Sequence, residues 1–249
     1  MLSTCGMCPE LHLGVGGIHV LLSSHALLVL AGVLLGGWVA AQHPRVPLGV
    51  GLATIAGVTV GGIGGARILY VLQRGGSLLG GDGGMASFGG IALGIVTTLV
   101  CARLAGVRTG DLFDAVGPAF LIAFGCGRLG CLLAGCCAGS VTNLPWAVVF
   151  PGLGPEPRHP LQLYSALFDF GLAGWAVGRG GPAGMVAVRC AAGLGFGRVG
   201  LEWLRDPSAT DLLGASGVTF PQVCGLLLGL AACWLGRELG RKPMLASSS

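Results

Sequence analysis

Apolar runs long enough to cross a hydrocarbon layer of roughly 30 Å recur along the whole of this chain and leave no stretch for a soluble domain. There are seven, at about 18–41, 48–72, 85–105, 112–134, 160–178, 183–204 and 218–236. Of the 249 residues, 53% are hydrophobic and only 10% charged, and the mean hydropathy is +0.82, more than a soluble core of this size hides from water. A membrane β-barrel would show ten-residue segments alternating apolar and polar, and no such alternation occurs. The sequence therefore predicts an all-α polytopic membrane protein with about seven transmembrane helices, forming a single integral membrane domain over 1–249.

Orientation follows from the cations, because loops that stay in the cytoplasm retain Lys and Arg near the membrane. With the N-terminus outside, Arg45, Arg103, Arg108, Arg179, Arg237, Arg241 and Lys242 fall on the cytoplasmic side, and Arg74, Arg158 and Arg205 outside. Seven against three favours the N-terminus outside and the C-terminus cytoplasmic. The remaining four of the 14 cations, Arg67, Arg128, Arg189 and Arg198, lie inside predicted helices. The net charge of +4 is thus a topology signal and not a nucleic-acid patch. No Lys or Arg precedes Arg45, so the first apolar run lacks the basic start of a cleaved signal and is expected to stay as a helix.

Most of the 49 glycines lie within the apolar runs. Helices in lipid gain little hydrophobic drive to associate, so small residues that let backbones approach supply the packing. Gly57, Gly61 and Gly65 make two consecutive GxxxG steps in the second run, and Gly225 and Gly229 repeat the device in the seventh. The polar-leaning connections 73–84, 140–159 and 205–217 fall on the outer side, with Asp82, Glu156, Asp206 and Asp211 among them. The proline-bounded "PWAVVFP", with Trp146 and Phe150, reads as a segment at the outer interface. Chemistry is expected on that face. No long internal repeat marks a transporter built from paired halves.

A guanidinium keeps its proton at any relevant pH, and holding one in hydrocarbon costs several kcal/mol unless it meets water, a partner or an anion. Arg128 stands mid-to-late in the fourth run, and Arg198 shares one helical face with Glu202 and Arg205. One reading is a cationic pocket for a lipid phosphate, since arginine offers a planar donor fork to phosphate oxygens. The other is structural pairing, Arg198 with Glu202 and Arg128 with Asp114 or Asp169. Arg67, with Tyr70 and Arg74, reads as an interfacial anchor.

Ten cysteines are present. Cys101, Cys190, Cys224 and Cys233 stand singly in helices as small apolar packers. Cys5 and Cys8 form one CxxC without the second pair that a metal site of that type needs, so no metal and no cofactor is expected. Cys126, Cys131, Cys136 and Cys137 cluster around "GRLGCLLAGCCAG". Cys131 lies three residues after Arg128, where a cation favours the thiolate. A nucleophilic role, plain packing and an oxidised pair involving Cys136 or Cys137 all remain open.

Five ordered blocks, "GGARILYVL" (64–72), "DGGMASFGG" (82–90), "GRLGCLLAGCCAG" with "LPWAVVFPG" (127–152), "PRHPLQLYSAL" (157–167) and "GFGRVGLEWLRDP" (195–207), resemble the bacterial prolipoprotein diacylglyceryl transferase family. The resemblance implies a seven-helix inner-membrane, multi-pass enzyme that moves the diacylglyceryl group of phosphatidylglycerol onto the thiol of a lipobox-containing precursor and releases glycerol 1-phosphate. It implies that Arg128 and Arg198 hold the lipid phosphate, and that Gly89, Gly90, Gly139, His159, Gln162, Tyr164 and Glu202 belong to the substrate site.

The departures are equally specific. The family's HGG histidine falls on Phe88, an asparagine one turn after the first arginine is Cys131, and the acid of its NGE is Cys136. The first-helix tyrosine falls on His25, and the tyrosine before the second arginine on Leu194. Phe88 transfers no proton, so a base must come from elsewhere, with His25 and His159 the available imidazoles and Cys131 an alternative. Two functions are expected: transfer of diacylglyceryl to a thiol acceptor, in a lipobox precursor or another thiol, or a non-catalytic or differently specific lipid-binding paralogue.

Overall fold

The computed structural model describes residues 10–15, 18–75, 77–78, 86–206 and 217–246. Its helices are α1 (Ser24–Ala41), α2 (Leu48–Arg74), α3 (Ser87–Ala105), α4 (Thr109–Leu133), α5 (Leu161–Arg179), α6 (Met185–Glu202) and α7 (Phe220–Ala246). This is an all-helical membrane protein in its bulk. Five of the described helices, α1 to α4 and α7, are long and apolar enough to cross a membrane. The other two, α5 and α6, match them in length at 19 and 18 residues but carry Gln162, Asp169, Arg189, Arg198 and Glu202.

The start of the first run departs from expectation. Residues 18–23 form a strand, β2 (Ile18–Ser23), paired antiparallel with β1 (Glu10–Val15) so that Glu10 opposes Ser23 and Val15 opposes Ile18. Ser23 Oγ accepts the Ala26 N–H at 3.2 Å, which caps α1 and fixes its beginning at Ser24. A second ribbon pairs β3 (Val148–Val149) with β4 (Pro157–Arg158), so the connection 140–159 has regular structure of its own. Within it Trp146 is exposed, as an interfacial residue should be, but Phe150 is fully buried and anchors the loop to the body of the protein.

At the centre stands α4, packed against α1, α2, α3, α5 and α6, while α7 joins through α6. Small residues set these distances. A Cβ at Gly65 would lie 2.3 Å from the Gly89 carbonyl oxygen, and one at Gly89 would lie 2.2 Å from that of Gly65, so the α2–α3 seam closes only with glycine on both sides. Gly225 meets the Gly195 carbonyl in the same manner and seats α7 on α6. Large aliphatics point outward instead, with Leu72 77% and Leu104 83% exposed, as suits a surface solvated by lipid.

Ion pairs and caps tie one end of the bundle. Arg45 reaches Asp111 at 3.1 Å, and the Asp114 carboxylate accepts the N–H groups of Gly184 at 2.7 Å and Ala187 at 2.8 Å, holding the start of α6 against α4. The ribbon of 140–159 occupies the opposite end, beyond the last turn of α4.

Candidate functional site

Toward the ribbon end, α4, α5 and α6 line a small, partly open pocket. Arg128 enters it from α4, Ser165 and Asp169 from α5, and Arg198 from α6, against the apolar walls of Phe124 and Leu194. A second small cavity shares Phe124, Leu194 and Arg198 and extends to Phe88 of α3 and Leu228 of α7. Both arginines singled out in the sequence thus line one space.

The two cations differ in how they are compensated. Arg198 pairs with Glu202 one turn along its own helix at 3.1 Å, and Arg205 reaches the same carboxylate at 3.8 Å. The Glu202 side chain is only 2% exposed. Arg128 takes part in no ion pair among the described residues, its buried Nε has no hydrogen-bond partner, and its guanidinium stands 4.7 Å from the centroid of the Phe124 ring. Asp114, one proposed counter-ion, is spent on the N-terminus of α6 at the far end. Asp169, the other, lines the cavity but leaves its buried Oδ2 without a partner. Arg128, Arg198 and Arg205 against Asp169 and Glu202 leave one excess positive charge. Buried polar groups without partners are costly, and here they converge on the wall of a cavity. An anion with several acceptor oxygens would satisfy them.

Beyond the end of α4 lies a braid of three segments. Gly139 N–H donates to His159 O at 2.9 Å, His159 N–H to Ser140 O at 3.1 Å, and Ser140 N–H to Leu204 O at 2.8 Å. A Cβ at Gly139 would stand 2.6 Å from Leu204 O and 2.7 Å from His159 Cβ, so this position requires glycine for the loop to lie against the end of α6. Tyr164 accepts from Trp146 Nε1 at 2.7 Å, and its hydroxyl lies 3.4 Å from His159 Nδ1. Gln162, 1% exposed, donates to the Cys136 carbonyl. Arg158 bonds Asp206 and the Gly139 carbonyl, fastening the loop to the chain after α6. Of the expected residues, Gly139, His159, Gln162 and Tyr164 belong to this braid and its supports, and Glu202 pairs with Arg198.

Four expected residues stand apart from these. His25 packs against Gly130, where an added Cβ would lie 2.6 Å from its Nδ1. Two residues along a helix turn about 200°, so His25 covers the side of α4 opposite Arg128 and stands outside the cavity. Gly89 and Gly90 face Gly65 and Gly62 of α2, and their visible role is the helix seam. Their neighbour Phe88 does line the second cavity. Cys131 lies at the last turn of α4, and its sulfur and those of Cys136 and Cys137 all fall within 4.8 Å of one another. The eight described cysteines are free thiols. Cys5, Cys8, Asp82, Asp211 and most of 205–217 lie outside the described residues.

Two contributors escaped the sequence reading. Asp169 figured there only as a counter-ion, although a carboxylate in an apolar run is itself a signal of function. Arg158 was counted for topology alone, yet it directly precedes the HPLQLY block whose loop it fastens.

The family model described as prolipoprotein diacylglyceryl transferase matches residues 15–236. A phosphatidylglycerol–prolipoprotein diacylglyceryl transferase of Vibrio vulnificus is 34% identical over 209 residues, covering 74% of this chain and 75% of the relative. Relatives of the same name from a Shewanella species (35% over 159 residues, 62% of this chain and 59% of the relative) and from Shewanella oneidensis (38% over 133 residues, 51% and 49%) match shorter stretches.

Proposed function

The chain belongs to the prolipoprotein diacylglyceryl transferase family, and from that membership and the cavity shared by Arg128 and Arg198 we propose that it transfers the diacylglyceryl group of phosphatidylglycerol to a thiol acceptor. The observation that carries this reading is the half-buried Arg128, its Nε buried without a partner, lining the same space as Arg198. The acceptor sulfur attacks the glyceryl carbon bonded to the phosphate oxygen, a C–S bond forms as the C–O bond breaks, and glycerol phosphate leaves with one further negative charge. Arg128 and Arg198 stabilise that charge in a low-dielectric site, where fixed donors act most strongly. Glu202 keeps Arg198 oriented, as Arg205 shares its carboxylate.

The thiol proton needs an acceptor. Phe88 supplies none, and His25 covers the far side of α4. The unpartnered Oδ2 of Asp169 lies on the cavity wall and is the group we assign to this step, with the His159–Tyr164 pair holding the acceptor's approach at the mouth. The acceptor is the cysteine of a lipobox precursor. The site end faces outward from a bacterial inner membrane crossed by all seven helices, with the N-terminus outside and the arginine-rich end at Arg45 and Arg108 in the cytoplasm.

Incubating the purified protein with labelled phosphatidylglycerol and a lipobox peptide tests this directly: thioether product and glycerol phosphate are expected in equal amounts. The apolar Phe88 on the wall of the second cavity favours one other reading, a lipid-binding paralogue without turnover. Stoichiometric lipid with no release of glycerol phosphate would select it.

A further inference from the structure

The three sulfurs at the end of α4 have no task in that reaction. Cys131 occupies the last turn of α4, and Cys136 and Cys137 follow in the turn that leaves it, with Gly135 at φ 67° and Cys137 at φ 61°. Cys137 is the only described residue other than glycine at positive φ, a conformation that costs about 1–3 kcal/mol and persists where its surroundings impose it. Here it folds the chain back so that adjacent residues in sequence both present sulfur to Cys131. All three Sγ atoms lie within 4.8 Å of one another. Three sulfurs bound to one centre at about 2.3 Å in a trigonal plane would be about 4.0 Å apart, so modest side-chain rotation closes the set.

Charge favours occupancy. A metal held by three thiolates carries net negative charge, and the fields of Arg128 and Arg205 reach Cys131 while that of Arg198 reaches Cys137. The Gln162 side chain fixes the Cys136 carbonyl, so the turn is braced from α5 as well. A disulfide needs two sulfurs; the third is what a metal site requires.

We propose that Cys131, Cys136 and Cys137 form a binding site for a soft, thiophilic d10 metal cation, set against the arginine side of the lipid cavity. Hard oxygen-seeking ions are excluded by the all-sulfur donor set. The site is independent of whether the protein turns over lipid.

Cadmium(II) alone serves as probe, titrated into the full-length protein in detergent under a phosphine reductant, with Cys5→Ser and Cys8→Ser introduced to remove the other cysteine pair. One cadmium per chain is expected, with ultraviolet thiolate-to-cadmium charge-transfer absorption scaled to three sulfurs. Cys131→Ser, Cys136→Ser and Cys137→Ser should each weaken binding at least tenfold, while Cys126→Ser and Cys233→Ser leave it unchanged. Circular dichroism of each variant reports that the helices remain folded. Absence of stoichiometric charge-transfer absorption, or its survival in the Cys131→Ser/Cys136→Ser double variant, would overturn the proposal.

Discussion

Arg198 and Glu202 form a 3.1 Å ion pair one turn apart on α6, while Arg128, which lines the same cavity as Arg198, makes no ion pair within 4 Å among the described residues. The pair is a positioning device, and the unpaired partner is where an anion is wanted. Breaking a buried pair by removing one member leaves a charge uncompensated, at about 3–5 kcal/mol. Glu202→Gln should therefore lower the thermal midpoint measured in detergent. Added phosphatidylglycerol should recover part of that loss, because its phosphate supplies the missing negative charge, whereas an uncharged lipid should not.

Asp169→Asn separates proton transfer from binding. The substitution keeps the shape of the buried side chain and removes its ability to accept a proton. We expect kcat to fall by about a hundredfold or more, with lipid affinity unchanged or tighter because one anion has left the cavity. An unaltered kcat would assign the base elsewhere.

Phe88→His returns an imidazole to the wall of the second cavity, beside Arg198. Transfer should quicken in this variant and its pH dependence should change, read from initial rates across about pH 5–9, the range in which an unperturbed histidine titrates.

Gly139→Ala tests the braid beyond the end of α4. Its Cβ would stand 2.6 Å from Leu204 O, so either the loop or the end of α6 must move. Overpacking of this kind costs about 1–3 kcal/mol. Transfer should drop sharply while phosphatidylglycerol still binds, because the displaced residues, His159 and Tyr164, serve the acceptor side.

Much of this arrangement was legible from residues alone. A permanent cation in an apolar run is conspicuous, so Arg128 and Arg198 stood out, and Gly57, Gly61 and Gly65 announced the seam that α3 fills. What could not be read was facing. His25 and Arg128 both belong to the neighbourhood of α4, but only knowing that α1 packs over Gly130 places the histidine on the face of α4 away from Arg128. Gly89 follows a motif position and yet spends itself on a backbone approach to Gly65. The beginning of α1 was missed because Ile18–Ser23 is as apolar as a helix, and hydropathy does not distinguish it from a strand; the Ser23 cap does. Phe150 was assigned to the interface by its proline-bounded surroundings and turned inward because the loop needed an anchor.

The account rests most heavily on Arg128, and its sharpest test is glycerol phosphate release by the Arg128→Ala protein, measured beside the parent with phosphatidylglycerol and a lipobox peptide after matched folding has been verified. Loss of one such donor is expected to cost about a hundredfold to a thousandfold in rate. Release at the parental rate would contradict the assignment of this cavity to the lipid phosphate.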